Sequence, residues 1–190
     1  MKRNIRNLVV IAIITVIMPF ILAAMASASG NDSKAIHGEY AATSVVSCNN
    51  YKEDGTTFDY SSTVSQLSIY TFNGDGTGTM QGKFVMIGLA PTPSERTLDM
   101  SWEFTYEFAD DGTITMDAVP GTGEWKIPGT NFVVVRYTGG TNSDSGRFSV
   151  DHKTITLGTV EPNDTVLTYF DGRVVHTKCN TSRVLIRVGK

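Results

Sequence analysis

Trp102-Glu103-Phe104-Thr105-Tyr106-Glu107-Phe108 decides the fold. Aromatics hold every second place, and polar residues hold the places between. A β-strand sends successive side chains to opposite faces, so four aromatics share one face and Glu103, Thr105 and Glu107 share the other. A helix would scatter both sets around its circumference. Asp110-Asp111-Gly112 then turns the chain into a second alternating run, Thr113-Ile114-Thr115-Met116. Asp-Gly between two such runs signals a hairpin, because both residues tolerate positive φ.

The same punctuation recurs on both sides. Asn73-Gly74-Asp75-Gly76 joins Leu67–Phe72 to Thr77–Met86, and Asp171-Gly172 joins Thr165–Phe170 to Arg173–Thr177. Asp151-His152-Lys153 joins Arg147–Val150 to Thr154–Leu157. Gly38–Val46, Glu124–Ile127, Phe132–Thr138 and Arg183–Val188 are further strands. About ten short strands with regular turns predict an all-β barrel or sandwich. Gly88–Glu95 with its two prolines and Gly139–Gly146 with its Gly, Ser and Asn are read as loops.

Ahead of this domain lies a different kind of segment. Lys2, Arg3 and Arg6 precede an apolar run from Leu8 to Leu22, and small residues follow through Ser29. That order predicts a secretory signal peptide over 1–28, with Ala26-Ser27-Ala28 fitting the peptidase's preference for small side chains. An uncleaved membrane anchor is the other reading, but Pro19 and the decay into Ala and Ser argue against it. Residues 29–36 are expected to be a flexible tail, and 37–190 a single domain. Export leads to a periplasmic or extracellular location.

Cleavage would remove three of the sixteen cations and none of the nineteen acids, taking the net charge from −3 to −6. Such a balance disfavours nucleic acid or an anionic membrane as partner. The only two cysteines, Cys48 and Cys179, are expected to pair in an oxidising compartment. Their disulfide would bring the first and last strands together. An up-and-down barrel requires that proximity, and a Greek-key sandwich permits it.

Catalytic patterns are sparse. Glu103 and Glu107 share a face but stand about 13 Å apart along a strand, too far for paired glycosidase carboxylates at about 5–9.5 Å. His37, His152 and His176 have no metal-pair spacing, and Asn73–Gly76 reads as a turn rather than a calcium loop. No Gly-x-Ser-x-Gly, phosphate loop or His-Glu-x-x-His occurs. No catalytic residue, metal or cofactor is therefore assigned. The stripe Trp102, Phe104, Tyr106 and Phe108 is the candidate ligand-binding feature, lining an apolar pocket if it is not plain core.

Gly38-Glu39-Tyr40 resembles the Gly-x-Trp opening of lipocalins, with Tyr in place of Trp. Thr71–Thr79 and Trp102–Met116 are similar to strand–turn–strand units of small exported bacterial lipocalin-like proteins. The resemblance implies a calyx for a small apolar molecule and no catalytic residues. It also implies a basic residue, Arg183 or Arg187, packing over Tyr40. The expectation is thus one antiparallel barrel of about eight to ten strands, lipocalin-like, with a β-sandwich as the alternative. Its expected function is that of an exported, non-catalytic binder of a small apolar molecule. A module that binds or inhibits another exported protein through residues 87–96 and 139–146 is the alternative. A barrel cyclase or isomerase would need polar groups converging inside.

Overall fold

The computed structural model describes residues 36–88 and 94–189. The predicted signal peptide, all of the predicted tail except Ile36, and the Pro-rich residues 89–93 lie outside that range. Eleven antiparallel strands form one sheet: β1 (His37–Tyr51), β2 (Phe58–Asn73), β3 (Thr77–Gly88), β4 (Ser94–Phe108), β5 (Thr113–Ala118), β6 (Gly123–Lys126), β7 (Val133–Gly140), β8 (Ser143–Phe148), β9 (Thr154–Gly158), β10 (Asn163–Tyr169) and β11 (Val174–Val188).

The pairings reduce these eleven to eight positions. β4 pairs with β5 through Phe104–Phe108 and with β6 through Asp99–Ser101. β11 pairs with β9 through Ser182–Ile186 and with β10 through Val174–Cys179. β5 with β6, β7 with β8, and β9 with β10 are therefore three interrupted strands in an up-and-down meander. β1 closes the ring against β11 from Glu39↔Val188 to Tyr51↔His176. A barrel, not a sandwich, is the architecture.

The interruptions have local causes. Pro120 follows β5 and Pro162 precedes β10, and proline has no N–H to give to a ladder. Between β7 and β8, Gly140 has φ +85°, and a Cβ there would sit 2.0 Å from the Asp164 carbonyl oxygen. The expected loop at 139–146 is accordingly corrected to barrel wall. Gly140 and Gly146 mark close approach of neighbouring strands, not a loose tip; a Cβ on Gly146 would meet the Thr156 oxygen at 1.8 Å. Arg173–Thr177 and Arg183–Val188, expected as two strands, belong mostly to the single β11.

One end of the barrel is solid. Tyr40, Phe72, Phe104 and Tyr106 are buried there with Ile36, Ile114, Ile155 and Leu185. Phe72 touches Tyr40, Phe104 and Tyr106 at centroid separations of 5.2, 5.2 and 5.0 Å, all near edge-to-face. Ile36, placed by the sequence at the end of a tail, is itself buried in this end. Arg187 stands directly opposite Tyr40 in the β1–β11 ladder, whereas Arg183 stands opposite Ser44, four residues along the strand. Burial raises the Tyr40 phenol's pKa against the opposing pull of Arg187.

Across the same β1–β11 seam, Cys48 and Cys179 are register partners and form the expected disulfide. It closes a span of 131 residues. In the chain-entropy account a loop of that length is worth up to about 5 kcal/mol.

Candidate ligand-binding site

The other half of the barrel is hollow. A cavity of ≈ 140 Å³, partly open to solvent, lies beneath the connections β1–β2, β6–β7 and β10–β11. Its two sides differ in chemistry. Phe84, Met86, Leu98, Met100, Trp102 and Trp125 make an apolar wall on β3, β4 and β6. Asn50, Ser62, Asn163, Thr165, Thr177 and Thr181 make a polar wall on β1, β2, β10 and β11.

The polar wall is largely self-satisfied. Asn50 Nδ2 donates to Ser62 Oγ at 3.0 Å and to the Tyr60 carbonyl at 3.1 Å. The Thr165 and Thr177 hydroxyls pair with each other. Asn163 accepts from the Ser143 N–H at 2.7 Å and donates to Asn142 Oδ1 at 3.1 Å, bridging two of the strand interruptions.

The floor is different. Arg183 of β11 reaches Asp144 of β8, Nη1 to Oδ2, at 3.1 Å. Both side chains are more than nine-tenths buried. The Arg183 guanidinium also lies 5.2 Å from the centre of the Tyr70 ring. Arg183 Nε, Asp144 Oδ1 and Tyr70 Oη have no hydrogen-bond partner among the described residues. Gln66 Nε2 donates to Ser68 Oγ at 3.0 Å beside that phenol, and both side chains weakly oppose the rise in its pKa without making a hydrogen bond of normal geometry to it. A void of ≈ 10 Å³, room for one water-sized group, is bounded by Tyr70, Phe104, Met116, Asp144 and Arg183. It shares Trp102, Asn142 and Arg183 with the main cavity.

Energetics set this floor apart from ordinary packing. Desolvating two charges costs several kcal/mol per ion, and a well-packed apolar substitute often does as well or better. Leaving polar atoms unpaired adds to that cost. The other two fully buried tyrosines avoid it: Tyr40 Oη donates to the His152 carbonyl at 3.0 Å, and Tyr106 Oη donates to the Ile36 carbonyl at 3.1 Å. Burial pushes the Tyr70 phenol's pKa up to about 12, with Arg183 opposing the shift, so Tyr70 is a neutral hydroxyl at physiological pH.

The aromatic stripe of β4 runs from cavity to core. Trp102 lines the cavity, and Phe104 borders the small void beneath it. Tyr106 and Phe108 pack in the solid end, 5.8 Å apart, with Phe108 against Phe148 at 5.3 Å. Glu103 and Glu107 are exposed on the opposite face. None of the three histidines lines the cavity: His37 is exposed, His152 sits in the β8–β9 turn against Phe148, and His176 packs beside Gly55. In the Asn73–Gly76 turn, Asp75 Oδ1 accepts from the Thr77 N–H and hydroxyl at 2.9 and 2.6 Å, so its oxygen serves the turn itself.

Asp144, Tyr70 and Trp125 were not singled out by the sequence; of the two arginines offered for Tyr40, Arg187 stands opposite it and Arg183 does not. Their alternation with outward residues was visible, but nothing local distinguishes the inward face of β2, β8 or β11.

No protein-family model matches the chain, and no curated protein matches it in sequence. Among solved structures, DynF from the dynemicin biosynthesis pathway of Micromonospora chersina is similar to it at 8% identity, over 80% of this chain and 81% of that one, with a TM-score of 0.43. A likeness at that level says nothing of what this chain binds.

Proposed function

We propose that the protein is an exported binder that holds a small, largely apolar molecule in the hollow half of its barrel. The cavity carries this reading: ≈ 140 Å³ with one apolar wall. A dry engineered cavity of about 150 Å³ admits benzene, so one ring is the scale of occupant. The signal-peptide pattern at residues 1–28 and the Cys48–Cys179 disulfide support export.

Both tryptophans of the chain, Trp102 and Trp125, line this cavity. Toluene should therefore change the intrinsic tryptophan emission saturably, and Trp125→Phe should remove part of that change. Emission that stays flat up to the solubility limit of toluene would contradict the proposal.

A barrel isomerase is the second reading, favoured by the free Oδ1 of Asp144 in the small void beneath the cavity. Asp144 would take an α-proton from a bound ketone while Arg183 Nε–H holds the developing enolate oxygen, and the proton would then return to carbon. Acetophenone in deuterated buffer tests it by proton NMR. Catalysed loss of the methyl signal supports an enzyme, and exchange at the buffer rate leaves the binder.

A further inference from the structure

The unpaired groups at the cavity floor define more than an apolar hole. Arg183 Nε can only donate, Asp144 Oδ1 can only accept, and Tyr70 Oη can do either. Arg183 and Asp144 neutralise each other at 3.1 Å. An added anion at the floor would face the Asp144 carboxylate, and an added cation would face the Arg183 guanidinium. A neutral head that accepts and donates side by side satisfies both. The void at the floor excludes a ring, so only a small polar head can reach these groups from the cavity. Asn50, Ser62, Asn163, Thr165 and Thr177 of the polar wall already have partners, so the floor is where a ligand's polar end gains most. Arg96, the other cation lining the cavity, is exposed at the opposite end of the apolar wall.

We infer that Arg183, Asp144 and Tyr70 form a specificity site for a neutral carbonyl head with an adjacent N–H or O–H, such as an amide, a lactam or an α-hydroxyketone, on an apolar body about one ring across. This rests on the cavity being the binding site proposed above. The carbonyl oxygen accepts from Arg183 Nε–H, the neighbouring donor reaches Asp144 Oδ1, and the Tyr70 hydroxyl completes the shell. A ligand without such a head leaves those three groups unpaired, which is the strongest form of discrimination available to a buried site.

Three matched probes test this: toluene, benzamide and benzoate, titrated by tryptophan emission against the wild-type protein. Benzamide should bind at least tenfold tighter than toluene, and benzoate more weakly than benzamide. In Tyr70→Phe the benzamide preference should fall several-fold. In the double variant Arg183→Met/Asp144→Leu, which leaves no orphan charge, it should vanish while toluene still binds. If no probe binds, the cavity proposal itself fails. If toluene binds and benzamide is no tighter, the cavity proposal stands and the specificity site is overturned. Benzoate as the tightest probe, or a preference that survives the double variant, overturns it as well.

Discussion

Tyr70 and Tyr106 are both fully buried phenols, yet their hydroxyls have opposite circumstances. Tyr106 Oη ties the solid end together, accepting from the Gly74 N–H at 3.2 Å and donating to the Ile36 carbonyl at 3.1 Å. Tyr70 Oη has no such partner among the described residues. Removing a paired buried hydroxyl orphans its partners at about 1–3 kcal/mol, whereas removing an unpaired one costs nothing comparable. Tyr106→Phe should therefore lower the urea midpoint by an amount equivalent to about 1–3 kcal/mol at unchanged slope. Tyr70→Phe should leave stability within about 1 kcal/mol of the parent, or raise it, while weakening benzamide binding. Equal losses in both variants would mean that the Tyr70 hydroxyl is a structural group after all. This contrast between two tyrosines is why we propose the floor as a binding site.

At the level of the strands, the sequence was readable wherever a turn or a uniform face announced itself. β4 alternates aromatic with polar, and its expected hairpin into β5 pairs Phe108 with Ile114. β2 is harder, because its polarity is inverted around the cavity. Gln66 and Ser68 point inward and are buried, while Leu67 is 67% exposed on the outer face. An apolar-in, polar-out rule assigns those residues to the wrong sides. β11 repeats the inversion, with Thr177, Thr181 and Arg183 inward and Ile186 outward. The polar wall and floor of the cavity are thus hidden by the rule that finds the core. The β7–β8 region was obscured differently. Gly139, Gly140, Ser143, Ser145 and Gly146 have loop composition, but here Gly140 and Gly146 permit strand backbones to approach, and Asp144 among them faces inward. Distance along the chain did the rest: Tyr70, Asp144 and Arg183 come from three strands, and only the closed barrel brings them together.

On the scale of the whole molecule, one barrel does two jobs along its axis. Its solid end, with the aromatic cluster and the Arg187–Tyr40 juxtaposition, supplies packing. Its hollow end, held at the seam by Cys48–Cys179, gives up packing for a cavity with a small void and a buried ion pair beneath it. The three strand interruptions fall between these halves, so they divide the wall where core gives way to cavity. A crystal of the protein soaked with benzamide tests this division most directly. One molecule should occupy the upper half, its ring against Trp102 and its carbonyl oxygen within about 3 Å of Arg183 Nε. Side chains filling the upper half, or benzamide bound only on the outer wall, would contradict it.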